Sequence, residues 1–236
     1  MLLKTDRLTK RYGSTVALCD ASISLESGNI YGVLGRNGSG KTTLSNIITN
    51  RIFATSGSCT LDGVSVVEND SIGSRIFSIT EKSEYPPYLK VKQLFAWTQR
   101  FYPSFDMEYA ISLSGRFDID TTKNLRQLST GYCTIAKVIL TLASKVPLML
   151  FDEPVLGIDS IYRRIFYTEL QELHGRLGNT VVITTHILDE LDGVVDHLII
   201  LKKGKVILDD KYGNIVKDGT TLADEYIRLH GVGTDD

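Results

Sequence analysis

The sequence predicts an α/β fold with a mostly parallel core sheet, and two observations carry the prediction. In the first and last thirds, short apolar strand-like runs alternate with helix-like stretches. The middle, from Val91 to Ser144, contains no convincing strand and reads as helical. Strands that alternate with helices are the mark of parallel pairing through helical crossovers.

Each element has a local reason. Leu2 to Leu8 and Val16 to Leu25 alternate like strands and are broken by Gly13 and by Ser27-Gly28. Ile30 to Leu34 is an apolar run that ends in a glycine-rich loop, after which Thr42 to Asn50 reads as a helix. Ser58 to Leu61 is a strand closed by an Asp62-Gly63 turn, and Arg75 to Thr80 is a further strand. Tyr85-Pro86-Pro87 is a loop. Val91 to Tyr102, Asp106 to Arg116 and Thr130 to Ser144 are helices, the last with Ile135, Val138, Ile139 and Leu142 on one face. Leu148 to Phe151 is a strand, Ser160 to Leu173 a helix, Val181 to Thr184 a strand and Leu188 to Leu191 a short helix. Leu198 to Leu201 and Lys205 to Leu208 form a hairpin around Lys203-Gly204.

Composition removes several function classes. A net charge of −2 over 236 residues gives no support to a polybasic nucleic-acid binder or an acidic tail. A hydrophobic share of 42% is too high for a disordered chain. A domain of this size buries roughly 70–75% of its unfolded surface, so its core needs no disulfides. Cys19, Cys59 and Cys133 are widely spaced, without a Cys-x-x-Cys pair, and read as reduced, mostly buried cytosolic thiols. The longest apolar stretches, Val146 to Phe151 and Val194 to Leu201, fall far short of the ~20 residues of a membrane helix. The amino terminus lacks a signal-peptide core.

Gly35-Arg36-Asn37-Gly38-Ser39-Gly40-Lys41-Thr42 matches G-x-x-x-x-G-K-[ST], with a strand before it and a helix after it. Glycines let such a loop turn its backbone N–H groups onto a phosphate, and the helix start adds a positive dipole end. Lys41 brings a point charge to the β- and γ-phosphates, and Thr42 a hydroxyl to Mg²⁺. The apolar run Leu148 to Phe151 ends in Asp152-Glu153. Carboxylates at a strand tip are costly to bury unless they hold a cation or hydrogen bonds. Asp152 suits Mg²⁺, and Glu153 suits a general base for attack of water on a γ-phosphate.

Four further segments gain meaning from their order. Taken singly, Tyr12 in Lys10-Arg11-Tyr12-Gly13 is an ordinary half-buried aromatic. Ser129 in Leu128-Ser129-Thr130-Gly131-Tyr132 is a helix N-cap, and His186 in Thr184-Thr185-His186 is a satisfied loop histidine. Together with Leu156-Gly157-Ile158-Asp159 and the phosphate loop, in this order, they resemble the nucleotide-binding subunits of ABC transporters along essentially the whole chain. His174, His197 and His230 match no motif.

The resemblance implies a phosphate-loop NTPase fold. Residues 1–81 and 146–236 would form a RecA-like nucleotide-binding core with an antiparallel β subdomain, and residues 82–145 an inserted α-helical subdomain carrying the signature. It also implies an ATP hydrolase with ATP and Mg²⁺ as its cofactors. Lys41, Glu153 and His186 are then the catalytic set. Tyr12, Gly35, Arg36, Asn37, Gly38, Ser39, Gly40, Lys41, Thr42 and Thr43 bind ATP, with the ring of Tyr12 stacked on adenine. Thr42, Asp152 and Glu81 hold Mg²⁺. Ser129, Thr130, Gly131 and Tyr132 meet the ATP of a partner subunit, and Asp159 lies in the dimer loop. Two positions depart from the family pattern. Glu81 stands where a glutamine usually couples Mg²⁺ to the transporter, and Leu-Ser-Thr-Gly-Tyr replaces the usual Leu-Ser-Gly-Gly-Gln.

The implied partners are a second ATPase subunit and a separate membrane subunit docking near Glu81 and the loop from Ser83 to Lys90. No nucleic acid is expected. The chain is expected in the cytoplasm, peripheral to the inner face of the cell membrane. Its length, with no added domain after the final hairpin, resembles subunits of ABC-2-type exporters of drugs, antimicrobial peptides or lipids. The alternative is a soluble ABC-type mechanochemical ATPase working on ribosomes or DNA. Members of that kind carry two ATPase domains or long coiled-coil inserts, which 236 residues do not accommodate.

Overall fold

The computed structural model describes residues 1–80, 85–217 and 220–230. In chain order the strands and helices begin with β1 (Leu2–Tyr12), β2 (Thr15–Ala21), β3 (Ser24–Glu26), β4 (Ile30–Leu34) and α1 (Lys41–Ile48). They continue with β5 (Ser56–Leu61), β6 (Val64–Ser65), α2 (Asp70–Gly73), β7 (Ile76–Ile79), α3 (Val91–Phe101), α4 (Met107–Arg116) and α5 (Thr130–Ser144). The last part of the chain supplies β8 (Leu148–Asp152), α6 (Ser160–Leu177), β9 (Thr180–Thr185), β10 (His197–Lys202), β11 (Lys205–Lys211), α7 (Tyr212–Ile215) and α8 (Leu222–His230).

These strands make two sheets. The six-stranded core has the order β11-β10-β4-β9-β8-β7, parallel except for the β10–β11 hairpin. Every residue of β4, β8 and β9 is buried, which is why these segments read as continuous apolar runs. The second sheet is antiparallel, β2-β1-β5-β6 with β3 also on β1, and β1 alternates between buried and exposed residues along much of its length. Leu3, Leu25 and Leu61 from this sheet pack with Leu44 and Ile48 of α1 and Leu148 and Leu150 of β8. On the other side of the core sheet, α3, α4, α5 and α6 bury Phe95, Leu113, Ile139 and Phe166, with Phe166 edge-on to Phe151 at 5.2 Å. Each such large apolar side chain contributes about 1.5–3 kcal/mol of transfer free energy.

The α/β expectation is therefore met, and the differences from the sequence reading are local. The predicted run Val16 to Leu25 divides into β2 and β3. At the break the Thr5 hydroxyl donates to the Ala21 carbonyl and accepts from the Ile23 N–H, so a side chain replaces part of the ladder. The helix predicted to end at Leu173 runs to Leu177 and stops at Gly178, whose φ of +60° forms a left-handed cap. The short helix at 188–191 is a single 3₁₀ turn, Leu188–Glu190. The short elements β6, α2 and α7, and the carboxyl-terminal α8, lack a long periodic pattern and were not expected. Cys59 is buried, but Cys19 and Cys133 are half-exposed.

Candidate functional site

The parallel register brings three strand ends together. Leu34 of β4 pairs with Thr185 of β9, and Thr184 of β9 pairs with Asp152 of β8. The loop Gly35–Gly40, the Asp152-Glu153 pair and Thr184–His186 therefore lie side by side at the carboxyl ends, where α/β sheets place their ligands. The loop's glycines are dictated by space. A Cβ on Gly35 would sit 2.3 Å from Ser39 Oγ and 2.6 Å from the Leu201 carbonyl oxygen. Gly40, the N-cap of α1, has φ +111°, and a Cβ there would meet the Ala17 carbonyl oxygen at 2.6 Å.

Lys41 is only 6% exposed. Its ammonium donates to the Gly35 carbonyl at 2.6 Å and lies 3.4 Å from Glu153 Oε1. Thr42 Oγ1 donates to Asp152 Oδ2 at 2.8 Å, and Thr184 Oγ1 donates to Asp152 Oδ1. Burial pushes the Asp152 carboxyl above its ordinary range, against the opposing pull of those two hydroxyls. Glu153 has φ +51°, a left-handed conformation that costs a residue with a Cβ about 1–3 kcal/mol. Its N–H donates to the Thr184 carbonyl at 2.9 Å, which holds that conformation. Glu153 Oε2 lies 3.0 Å from His186 Nδ1 and accepts from Thr185 Oγ1 at 3.3 Å. Ser39 Oγ is buried with no hydrogen-bond partner among the described residues. Thr43 is half-buried on α1, and Arg36 and Asn37 are exposed on the loop.

The other expected site residues occupy separate elements. Tyr12 ends β1, 49% exposed, with the Lys10 ammonium 5.1 Å from its ring centroid. Ser129 is the N-cap of α5 and accepts from the Tyr132 N–H at 3.3 Å. Ser129 and Thr130 are exposed, while Gly131 is packed so closely that a Cβ would lie 2.7 Å from the Gly157 carbonyl oxygen. Asp159 caps α6, its Oδ1 accepting from the N–H groups of Ile161 and Tyr162 at 3.0 Å each. Glu81, together with Ser83 in the expected docking loop, lies outside the described residues. From that loop, Tyr85, Pro86, Tyr88 and Leu89 line a cavity of about 1080 Å³ between α1, α2 and α3. Trp97 and Phe101 of α3 also line it, 52% and 67% exposed.

Sequence reasoning missed the contributions of Thr184 and Thr185 as hydroxyl donors to the carboxylate pair, since both entered only as the residues that lead into His186. It also missed Tyr162, whose hydroxyl lies 3.2 Å from that of Tyr132. Only the strand register and the packing of α6 on α5 create these contacts.

Residues 18–156 match the family model described as ABC transporter. The chain is 32% identical over 228 residues to the ABC transporter ATP-binding protein YtrB of Bacillus subtilis (strain 168), covering 97% of this chain and 76% of that protein. It is 28% identical to the bacitracin transport ATP-binding protein BcrA of Enterococcus faecalis, covering 87% of this chain and 68% of that one. Among solved structures, an ATP-binding subunit of an ABC transporter superposes with a TM-score of 0.86 at 20% identity, covering 98% of this chain and all of that one (100%).

Proposed function

The chain belongs to the ABC transporter family as one of its ATP-binding subunits, and from that premise we propose how its site works and what it drives. It hydrolyses ATP at a composite site completed by a second ATPase subunit, and the cycle powers export through a separate membrane subunit. The observation that carries this reading is the convergence of Lys41, Asp152, Glu153 and His186 at adjoining strand ends, with Glu153 between an ammonium and an imidazole.

The site fits a nucleotide's phosphates. The Gly35 and Gly40 walls admit no side chain, Ser39 Oγ is an unsatisfied polar atom in the loop, and α1 starts at that point. Gly35 to Thr43 cradle the phosphates, and the Tyr12 ring stacks on the adenine. Thr42 and Asp152 offer oxygen donors of the kind a hard cation takes, and would hold Mg²⁺ with Glu81 as a third donor. When bound there, Mg²⁺ would offset negative charge on the phosphates. Lys41 adds a second positive charge there. Glu153 takes a proton from the attacking water as its oxygen bonds to the γ-phosphorus and the bond to the ADP oxygen breaks. His186 orients the Glu153 carboxylate and contacts the γ-phosphate. The products are ADP and phosphate.

Ser129 and Thr130 sit exposed at the start of α5 with Gly131 and Tyr132 behind them, which supports their presentation to the ATP of a second subunit. Asp159 belongs to the same dimer face. Residues 1–236 act as one ATPase domain, with core segments 1–81 and 146–236 and a helical subdomain at 82–145. The aromatic-lined cavity beside Tyr85–Leu89 is the docking groove for the membrane subunit. No helix among the described residues is long and apolar enough to cross a membrane, so that subunit would hold this one at the inner face of the cell membrane. Of the drug, antimicrobial peptide or lipid cargoes expected, the likeness to the bacitracin transport protein BcrA supports an antimicrobial peptide.

Glu153→Gln tests the mechanism. It removes the base while preserving shape, so turnover is expected to fall about 10²–10⁴-fold and an ATP-bound dimer to accumulate. Light scattering at saturating MgATP is the measurement, and a monomer there sinks the composite site.

A further inference from the structure

We propose that Tyr132 and Tyr162 are a positioning pair that sets the orientation of the signature turn against the loop following this chain's own carboxylate pair. The inference rests on the composite site proposed above and adds Tyr162, which no motif marks.

Tyr132 is the third residue of α5, after the cap Ser129, and Tyr162 is the third residue of α6, after the cap Asp159. The two helix starts are joined at matching positions. The tyrosine hydroxyls are 3.2 Å apart, within hydrogen-bond reach, and the ring centroids 5.9 Å. Behind Tyr162, Phe117 of the helical segment closes the cluster at 6.0 Å. One residue before Tyr132, Gly131 rides directly on the Gly157 carbonyl, so the backbones of the two turns touch. Arg163, next to Tyr162, donates from Nε to the Ile158 carbonyl at 2.8 Å and fastens that loop to α6. The chain leads from Glu153 through Gly157 and Ile158 to Tyr162, and across the hydroxyl pair to the exposed Ser129.

The chemistry explains why a phenol serves here. Two tyrosines reach across the gap between α5 and α6 and hold each other through ring contact and one hydrogen bond. A pre-oriented turn loses less freedom when a ligand closes on it. The pair therefore acts through Ser129 and Gly131, and Tyr162, which lies outside the signature turn, acts only by positioning it.

The test uses the full chain in the Glu153→Gln background, with Tyr132→Phe, Tyr162→Phe and both together. Phenylalanine keeps the rings and the packing while removing the hydroxyl bond. At saturating MgATP, each single variant is expected to weaken dimerisation about three- to tenfold, the worth of one neutral hydrogen bond. The double variant is expected to be no weaker than the singles, because one bond is lost in all three. Binding of a fluorescent ATP analogue to the dilute single chain is expected to stay unchanged, since neither hydroxyl belongs to the phosphate loop. Dimerisation at the parental level in Tyr162→Phe overturns the proposal. So do losses that multiply in the double variant, and a parallel loss of single-chain ATP binding, which would mark general damage. If the Glu153→Gln parent itself stays monomeric, the composite site fails instead, whatever the tyrosines do.

Discussion

Asp152 and Glu153 are adjacent in the chain but occupy unlike environments. Asp152 is 4% exposed, with both oxygens engaged by threonine hydroxyls and its carboxyl pushed up by burial. A cation beside it would relieve that cost. Glu153 is turned out of the strand by its positive φ, so its carboxylate leaves the sheet and meets Lys41 and His186. The same strand tip thus supplies one buried carboxylate held by two hydroxyls and one turned toward an ammonium and an imidazole. Lys41 is the counter-charge, and Lys41→Ala is expected to lower ATP turnover by about a hundredfold or more. A coupled ATPase assay at saturating MgATP checks this, and near-parental turnover would remove Lys41 from the site. Cys59 offers a separate check on packing. Burial pushes its thiol up to about 12, so alkylation at neutral pH is expected to spare Cys59 until denaturant is added. Mass mapping of the modified peptides reads the outcome.

At the scale of elements, helix starts do several jobs at once. Ser129, Asp159 and Asp106 each cap a helix with their own side chain. Asp106 caps α4 through the Tyr109 N–H at 2.8 Å and pairs with Lys145 just beyond the end of α5 at 2.5 Å. The Lys145 ammonium, and then the Tyr109 N–H, hold its carboxyl below the ordinary range. Asp106→Ala is expected to cost about 1–2 kcal/mol, or roughly 2–8 °C of melting temperature at 2–4 °C per kcal/mol. The sign of the pH dependence follows from the lowered folded pKa. The contribution is fully present above the unfolded carboxyl range near ~4 and is lost as pH falls through the lower folded value. The gap between the melting curves of the two proteins should therefore narrow as pH falls below the ordinary carboxyl range; a constant gap would show that the charge has no part in it. A second tie, Tyr109 and Arg116 of α4 to the buried Glu169 of α6, joins the helical segment to the core.

At the scale of the whole molecule, three exposed aromatics gather in one place. Tyr88, Trp97 and Phe101 line the cavity that Tyr85 and Leu89 also line. A patch of this kind on a folded surface marks an interaction site. If the membrane subunit seats there, Trp97→Ser with Phe101→Ser is expected to reduce recovery of a multi-helix membrane protein with the tagged chain from mild detergent. The melting temperature should change little, since both residues are more than half exposed. Equal recovery would move the docking surface elsewhere. The nucleotide face uses different strand ends and loops, so one rigid core sheet can carry both surfaces.

The local chemistry was legible in the sequence by itself. The phosphate loop, the Asp152-Glu153 tip and the cap at Ser129 are short contiguous patterns. Their glycines, charges and hydroxyls are required by backbone geometry within a few residues. The apolar runs 30–34, 148–151 and 181–183 inside the fully buried β4, β8 and β9 announced a covered parallel sheet for the same reason, because both faces had to be buried. The sequence did not show that β9 would lie between β4 and β8, and so bring Thr184 and Thr185 onto the carboxylates. Nor did it show that Tyr132 would meet Tyr162, or that Gly131 would rest on Gly157. Those contacts span tens of residues or more and depend on strand order, register and helix packing. The whole core selects those at once, and no local propensity encodes them.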